Sequence, residues 1–224
     1  MTGDVTESTL VLNAADGFKF EAFRAAPTGQ VRGGLVILQE IFGVTDQLKD
    51  VARSYARDGY DAAVPALFDR VSPSTVVPFS DPNRGRELAY GLDLDKVMLD
   101  IMAAAEAVRS THGVCVLGYC WGGGVVVRAA AEIDLSGAIA FYGTRLQNYL
   151  ACKPKCPLLF HFGSTDPNSP PETIAAVRRA FPSAETHEYD AGHGFANEVR
   201  PSYVLAGATA ARVRTLDFLG RVHR

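Results

Sequence analysis

Long apolar runs, basic clusters and a dense set of cysteines are all missing from this 224-residue chain. No hydrophobic run approaches the roughly 18 residues that span a bilayer, so we expect no membrane helix. Residues 1–10 lack a basic stretch followed by an apolar one, so we expect no secretory signal and a cytoplasmic location. A formal net charge of −3 with interspersed signs provides no basic stripe, which argues against a nucleic-acid partner.

The four cysteines are too few at this length to form a disulfide framework in a reducing compartment. Cys115 lies in an apolar strand pattern, which is typical of a small buried hydrophobic residue. Cys152 and Cys156 flank a short Lys-Pro-Lys loop, and a metal site would need further ligands close by, so we interpret both as structural. Cys120 differs from the other three because glycines surround it.

Short apolar strands alternate with helical segments along the chain, and a turn at Asp16-Gly17 joins the first two strands. Strands are predicted at residues 9–12, 18–24, 35–38, 61–64, 114–117, 138–142, 158–162 and 186–189. Helices are predicted at residues 46–57, 84–91, 93–109, 123–132, 171–180 and 202–219. Residues 65–83, with four prolines, are predicted to be an irregular functional or mobile loop. The alternation predicts a single α/β domain over residues 1–224, with a mostly parallel central sheet and helices on both faces.

A tight glycine-rich turn follows the strand at residues 114–117. Gly118 and Gly122 lie two residues before and after Cys120, which is the spacing of the nucleophile elbow of α/β-hydrolases. Small neighbours are needed because the nucleophile takes a strained backbone conformation between strand and helix. The sequence therefore predicts an α/β-hydrolase fold with Cys120 as nucleophile. The backbone N–H of Trp121, at the positive end of the following helix, is the predicted oxyanion donor, and the same helix end favours a thiolate.

A base and an acid are expected after the nucleophile, in the order acid then base. Among the downstream histidines, His193 lies in a glycine-flanked loop between a strand and the last helix, where a catalytic base is expected. His161 and His187 fall within predicted strands and His223 lies in the tail. Asp166 follows a strand end and is the preferred acid, which would hold His193 in its working tautomer. Asp190, three residues before His193, is the alternative.

The motifs around these residues resemble those of the dienelactone hydrolase family, the carboxymethylenebutenolidases, which are cysteine hydrolases of the α/β-hydrolase fold. The resemblance runs through most of the chain, from Asp16-Gly17 to Leu219. It is carried by four stretches: Gln39-Glu40-Ile41-Phe42-Gly43, Arg86-Glu87-x-Ala89-Tyr90, Gly118-Tyr119-Cys120-x-Gly122-Gly123 and Ala191-Gly192-His193-x-Phe195-Ala196.

The resemblance implies roles for residues that the pattern alone does not single out. It assigns Glu40 an interaction with the nucleophile, with which a carboxylate can exchange a proton, and it assigns the backbone N–H of Ile41 to the oxyanion hole. It also implies that Arg86 and Tyr90 bind a substrate carboxylate. Their i, i+4 spacing puts both on one helical face, where a guanidinium and a hydroxyl can grip one anion.

Two positions depart from the family pattern. Asn197 stands where the family has an arginine four residues after the histidine, and Asp93 stands where it has a tryptophan. Losing a cation and gaining an acid should both weaken binding of a small anionic lactone. Arg200, in the same loop as Asn197, is a possible replacement cation.

The sequence therefore predicts hydrolysis of an ester or lactone, most specifically a dienelactone of the 4-carboxymethylenebut-2-en-4-olide type, through an acyl-enzyme on Cys120. A broader carboxylesterase or thioesterase for uncharged substrates is one alternative. A non-enzymatic protein on the same scaffold, with Cys120 as a redox-sensitive thiol, is another. We expect a monomer that acts on a small molecule, with no metal and no cofactor, because no metal-binding histidine and carboxylate cluster is visible.

Overall fold

The computed structural model describes residues 4–223, which group into two compact units. Residues 4–115 and His223 form the first unit, and residues 116–222 form the second. None of the helices in this described range combines the length and the hydropathy that a bilayer crossing requires. The prediction of a single domain stays a prediction.

The first unit contains four strands in the order β1-β2-β4-β3. They are β1 (Val5–Asn13), β2 (Lys19–Pro27), β3 (Gly33–Leu38) and β4 (Tyr60–Pro65). β1 and β2 form the predicted hairpin, with Gly17 at φ 82° in its turn, and β2 runs antiparallel to β4. β3 and β4 are parallel and buried at every position, as expected of strands covered on both faces.

Three helices complete the first unit: α1 (Asp46–Arg57), α2 (Pro82–Gly91) and α3 (Leu94–Val108). α1 packs on β2 and β4, and α3 packs on β3 and β4. Thr45 caps α1 by accepting the backbone N–H of Leu48 (3.2 Å), and Asp93 caps α3 by accepting that of Asp95 (3.0 Å). These caps satisfy N–H groups that have no partner within the helix, and they define where each helix begins.

The segment predicted as an irregular loop is anchored at its start. It contains a short 3₁₀ turn, Leu67–Arg70, and the buried Asp69 carboxylate accepts the backbone N–H groups of Glu21 and Ser74 (3.0 and 2.8 Å). One carboxylate therefore joins the loop to β2.

His223, which the sequence placed in a tail, instead packs beneath β3, with Nε2 3.1 Å from the Gly34 carbonyl oxygen.

The second unit contains four strands in the order β5-β6-β7-β8. They are β5 (Val114–Tyr119), whose first two residues belong to the first unit, β6 (Gly137–Phe141), β7 (Leu158–Gly163) and β8 (Glu185–Tyr189). β6, β7 and β8 are parallel. The helices are α4 (Trp121–Glu132), α5 (Pro171–Ala180) and α6 (Leu205–Val222). α4 packs on β6, whereas α6 packs on β6 and β7.

Helix α6 begins three residues later than predicted. The chain before it folds into turns, in which the N–H of Tyr203 donates to the Arg200 carbonyl and that of Val204 donates to the Phe195 carbonyl (3.0 Å each). These bonds hold the residues that follow His193 close to its loop. The loops that follow β5, β6, β7 and β8 carry Cys120, Tyr142, Asp166 and His193, respectively.

Candidate active site

Cys120 sits between the last residue of β5 and the first residue of α4, with φ 53° and ψ −113°. A residue other than glycine rarely adopts such a positive φ, so this backbone is strained. Close contact requires the predicted glycine at position 118, because a Cβ there would lie 2.3 Å from the Gly122 carbonyl oxygen. The structure therefore has the geometry of a nucleophile elbow at Cys120.

His193 bridges Cys120 and Asp166. Its Nδ1–H donates to Asp166 Oδ2 at 2.7 Å, and its Nε2 lies 3.1 Å from Cys120 Sγ. Asp166 follows β7 and has a fully buried side chain, whose Oδ1 also accepts the backbone N–H of Asn168 (2.8 Å). Three loops of the second unit thus bring a thiol, an imidazole and a carboxylate into one hydrogen-bonded line.

The electrostatics of this line favour a protonated imidazole. Burial opposes the charge on His193, but its hydrogen bonds to Asp166 and Cys120, together with the coulombic effect of both groups, outweigh it and raise the pKa of His193 to about 10. An imidazolium beside a sulfur stabilises the thiolate, which is the nucleophilic form of cysteine. The arrangement can therefore supply a nucleophile and a proton donor at the same place.

The alternative acid and the other histidines lie elsewhere. Asp190 is exposed at the end of β8, whereas Asp166 makes the bond to the imidazole. His161 is buried within β7, as its strand pattern indicates, and is bonded to Tyr189 and Thr215.

Glu40 and Ile41 lie in the first unit, in the loop that follows β3, and both are buried. A Cβ on Gly85 would lie 2.3 Å from the Ile41 carbonyl oxygen, so α2 packs tightly against this loop. The roles implied for the Glu40 carboxylate and the Ile41 N–H stay predictions.

Arg86 and Tyr90 lie one turn apart on α2, as their spacing predicts, and both are exposed. The Arg86 guanidinium donates through Nη1 to the Asn83 side-chain oxygen (3.0 Å), which is a contact within the same helix. Their role in anion binding likewise stays a prediction.

The two departures from the family pattern have local structural explanations. Asn197 is buried, and its side-chain oxygen accepts the backbone N–H of Val199 (3.3 Å), while Asp93 is the cap of α3. Arg200 lies next to the histidine loop, because a Cβ on Gly194 would be only 2.8 Å from its Nη1 atom. A guanidinium therefore lies beside the residue that follows His193, three positions after the family's arginine.

The remaining cysteines do not share the surroundings of Cys120. Burial is the main cause that raises the pKa of both the Cys152 and Cys156 thiols, that of Cys156 to about 11, and nearby acids add to it. No described cysteine forms a disulfide. Within residues 4–223, no group of three or more histidine, cysteine or acidic side chains is placed to hold a metal ion.

Tyr142 is a site neighbour that sequence reasoning missed. It follows β6, is fully buried, and packs its ring edge-to-face on the His193 imidazole, with ring centroids 5.2 Å apart. Its position at the end of a predicted strand was the only available signal.

Comparisons with known proteins point to one family. A model of the dienelactone hydrolase family matches residues 20–223. The chain is 33% identical over 222 residues to a carboxymethylenebutenolidase from Pseudomonas putida, covering 93% of this chain and 94% of that protein. It is 29% identical over 221 residues to carboxymethylenebutenolidase 1 from Cupriavidus pinatubonensis, with the same two coverages.

Solved structures confirm the predicted fold class. A Klebsiella pneumoniae protein assigned as a dienelactone hydrolase superposes with a TM-score of 0.86 at 24% identity, covering 98% of this chain and all of that one. A dienelactone hydrolase-like promiscuous phosphotriesterase from metagenomic libraries superposes with a TM-score of 0.81 at 19% identity, covering 99% and 100%. At these identities the likeness establishes the α/β-hydrolase fold alone.

Proposed function

This chain belongs to the dienelactone hydrolase family and is a hydrolase of ester or lactone bonds, and we propose that Cys120 is its nucleophile, His193 its base and Asp166 the acid that orients the base. The observation that carries the proposal is the position of the His193 imidazole. Its Nδ1 lies 2.7 Å from Asp166 Oδ2, and its Nε2 lies 3.1 Å from Cys120 Sγ. The proposed substrate is a dienelactone of the 4-carboxymethylenebut-2-en-4-olide type, in keeping with the carboxymethylenebutenolidase activity for which the Pseudomonas putida relative is named.

The first half-reaction forms a thioester. The Cys120 thiolate attacks the lactone carbonyl carbon, and the electron pair of the C=O bond moves to oxygen. When this tetrahedral intermediate collapses, the ring C–O bond breaks, and the departing oxygen takes the proton of the His193 imidazolium. The product is an acyl group on sulfur, which still carries the new hydroxyl or enol because the lactone is a ring, and a neutral imidazole.

The second half-reaction returns the enzyme to its starting state. The neutral His193 removes a proton from a water molecule as that water attacks the thioester carbon. The C–S bond then breaks, the acid is released, and Cys120 regains its thiolate beside a protonated imidazole. Asp166 stabilises the imidazolium at both stages, because its carboxylate accepts the Nδ1–H throughout.

Backbone donors would stabilise the oxyanion. We assign this role to the N–H groups of Trp121, the first residue of α4, and Ile41, which follows β3. Glu40 would interact with the Cys120 nucleophile, as the family resemblance implies.

Two substrate classes differ in what they require of α2. A carboxylated lactone would need Arg86 and Tyr90 to bind its anion, with Arg200 as a further cation. An uncharged ester would need neither, and the buried Asn197 in place of the family's arginine favours this second candidate. The thiol chemistry is the same for both substrates.

The nucleophile is tested by stoichiometric labelling. We expect one equivalent of iodoacetamide to modify Cys120 and to abolish hydrolysis of an aryl ester and a dienelactone in parallel. Cys120→Ala should lose at least about 10³-fold in kcat, while Cys152→Ala, a matched cysteine control, keeps it. Retained hydrolysis in Cys120→Ala would overturn the proposal. Reversible oxidation of Cys120 with no ester or lactone turned over would support the redox-sensing alternative.

The substrate class is tested by comparing a carboxylated dienelactone with its methyl ester. If the anion is bound, Arg86→Ala should lower kcat/KM for the acid by about tenfold or more, with little effect on the ester. Arg84→Ala is the matched control, because Arg84 lies on the same helix and pairs with the exposed Glu87. Equal rates on the two compounds would remove Arg86 and Tyr90 from the site and favour an esterase for uncharged substrates.

A further inference from the structure

The turn that follows β6 has an unusual backbone. Tyr142 has φ 37° and Arg145 has φ 57°, and neither is a glycine. For a bulky aromatic residue such a positive φ is a genuine outlier, which persists only where the surrounding structure holds it. Strain of this kind concentrates at functional sites, so the contacts of Tyr142 indicate what it serves.

The backbone of this turn holds Cys120 on both sides. The Cys120 N–H donates to the Phe141 carbonyl oxygen (3.0 Å), and the Cys120 carbonyl oxygen accepts the Thr144 N–H (3.0 Å). A Cβ on Gly143 would lie 2.9 Å from the Gly123 carbonyl carbon, so the turn has no room to move toward α4. Two strained segments, one at Cys120 and one at Tyr142, thus fix each other.

The side chain of Tyr142 contacts His193, the middle residue of the line that runs from Cys120 to Asp166. Its ring meets the His193 imidazole at an interplanar angle of 72° and a centroid distance of 5.2 Å, and it meets Phe195 at 5.5 Å. Its backbone N–H donates to the His161 carbonyl oxygen (2.8 Å), which ties the residue to β7. The ring therefore occupies space into which the imidazole would otherwise rotate, and it excludes water from that face.

We propose that Tyr142 is a positioning residue for the hydrolase proposed above. Its strained turn holds the Cys120 backbone, and its ring holds the His193 imidazole, so one residue sets the sulfur-to-nitrogen separation. The inference rests on the proposed roles of Cys120 and His193. Tyr142 acts through the imidazole and takes no part in bond making or breaking.

The test replaces the ring and follows the thiol directly. In Tyr142→Leu we expect the iodoacetamide alkylation rate of Cys120 at pH 7 to fall about tenfold, because a loosened imidazolium no longer stabilises the thiolate. The pH at which alkylation reaches half its maximal rate should rise, and kcat should fall by a similar factor with KM little changed. Tyr142→Phe, which keeps the ring and its contact, should stay within about threefold of the parent.

Phe160→Leu is the matched control, since it removes a buried aromatic ring of the same unit that stacks on Phe162 and Phe181. We expect a comparable fall in melting temperature with unchanged alkylation. If Tyr142→Leu fails to fold, Tyr142→Met, whose unbranched side chain adapts to an irregular space, takes its place. A folded ring-deletion variant with the parental alkylation profile would overturn the inference. Slowed alkylation in a protein that hydrolyses no ester or lactone would keep the positioning role and reject the hydrolase mechanism.

Discussion

Two histidines of the second unit are each bonded at both ring nitrogens, yet their surroundings drive protonation in opposite directions. His161, fully buried in β7, contacts the Tyr189 hydroxyl at 2.8 Å and the Thr215 hydroxyl at 3.0 Å. His193 contacts the Asp166 carboxylate and the Cys120 sulfur at similar distances. Burial holds the pKa of His161 well below its ordinary value, whereas the pKa of His193 is raised to about 10.

Burial lowers the pKa of both rings, and only His193 has partners that raise it. The Thr215 hydroxyl donates to the Ala211 carbonyl (2.9 Å), so it accepts from His161 Nε2–H, and His161 Nδ1 then accepts from the Tyr189 hydroxyl. This network suits a neutral ring and gives a cation no counter-charge. The pair around His193 offers negative charge on both sides, which outweighs the desolvation that acts on both rings. Two hydroxyl partners suit a neutral, structural histidine, whereas a carboxylate and a sulfur suit one that carries charge.

Asp166→Asn should remove most of this difference, and it has the largest expected effect. The amide can donate to Nδ1, which would leave the proton on Nε2 and prevent the ring from accepting one there. We expect kcat to fall about 10³- to 10⁴-fold, as is typical when a base is held in the wrong tautomer. The pKa of His193, followed by NMR of its ring protons, should move down toward that of His161.

Asp190→Asn is the matched control, because Asp190 is the exposed acid nearest in sequence to His193. It should retain kcat within about twofold, as surface substitutions away from special features usually do. If Asp190→Asn and Asp166→Asn lost activity equally, the assignment of the acid to Asp166 would be wrong. A His193 pKa that did not change in Asp166→Asn would remove the charge argument.

How far the sequence predicts this molecule depends on how local the signal is. The elbow at Cys120 is local, because glycine spacing and the strand-to-helix change lie within one short stretch, and the predicted backbone is observed. The limits of α1 and α5 match the prediction because helical periodicity and end signals agree there. The fold class follows from the alternation of strands and helices, and it is confirmed.

Non-local features were harder to predict. The packing of His223 beneath β3 joins residues that lie 189 positions apart in the chain, so no pattern near residue 223 predicts it. Tyr142 carries its strain because a neighbouring turn and a distant histidine hold it, and neither is visible in its own sequence context. The late start of α6 depends on turn hydrogen bonds made back to Phe195, which override helical spacing.

The dependence of stability on pH should also separate the two histidines. A folded-state pKa of about 10 against an ordinary 6.5 means that His193 contributes its full stability below about pH 6.5 and loses it as pH rises toward 10. His161 has the opposite sign, because its lowered pKa makes stability fall as pH drops below its ordinary value. The free energy of unfolding, measured with urea between pH 5 and 10, should therefore fall at both ends of this range. His161 causes the acid limb and His193 causes the alkaline limb.

Asp166→Asn should flatten the alkaline limb and leave the acid limb in place, because only the first depends on the imidazolium. Differences between parent and variant at each pH remove the contribution of the unfolded cysteines, which both share. An alkaline limb of equal slope in the two proteins would show that the charge on His193 contributes nothing to folding.

Thr215→Val gives the smallest expected effect and tests the structural histidine. Valine keeps the shape of threonine but removes the acceptor of His161 Nε2–H, so a buried donor is left without its partner. We expect unfolding to become easier by about 1–3 kcal/mol, measured by urea denaturation, with kcat within about threefold of the parent. Thr173→Val is the control, since the buried Thr173 hydroxyl accepts from the amide of the exposed Gln147, which water can still reach. A Thr215→Val protein with parental stability but impaired catalysis would contradict the division between a structural and a reactive histidine, because it would tie His161 to the chemistry of Cys120.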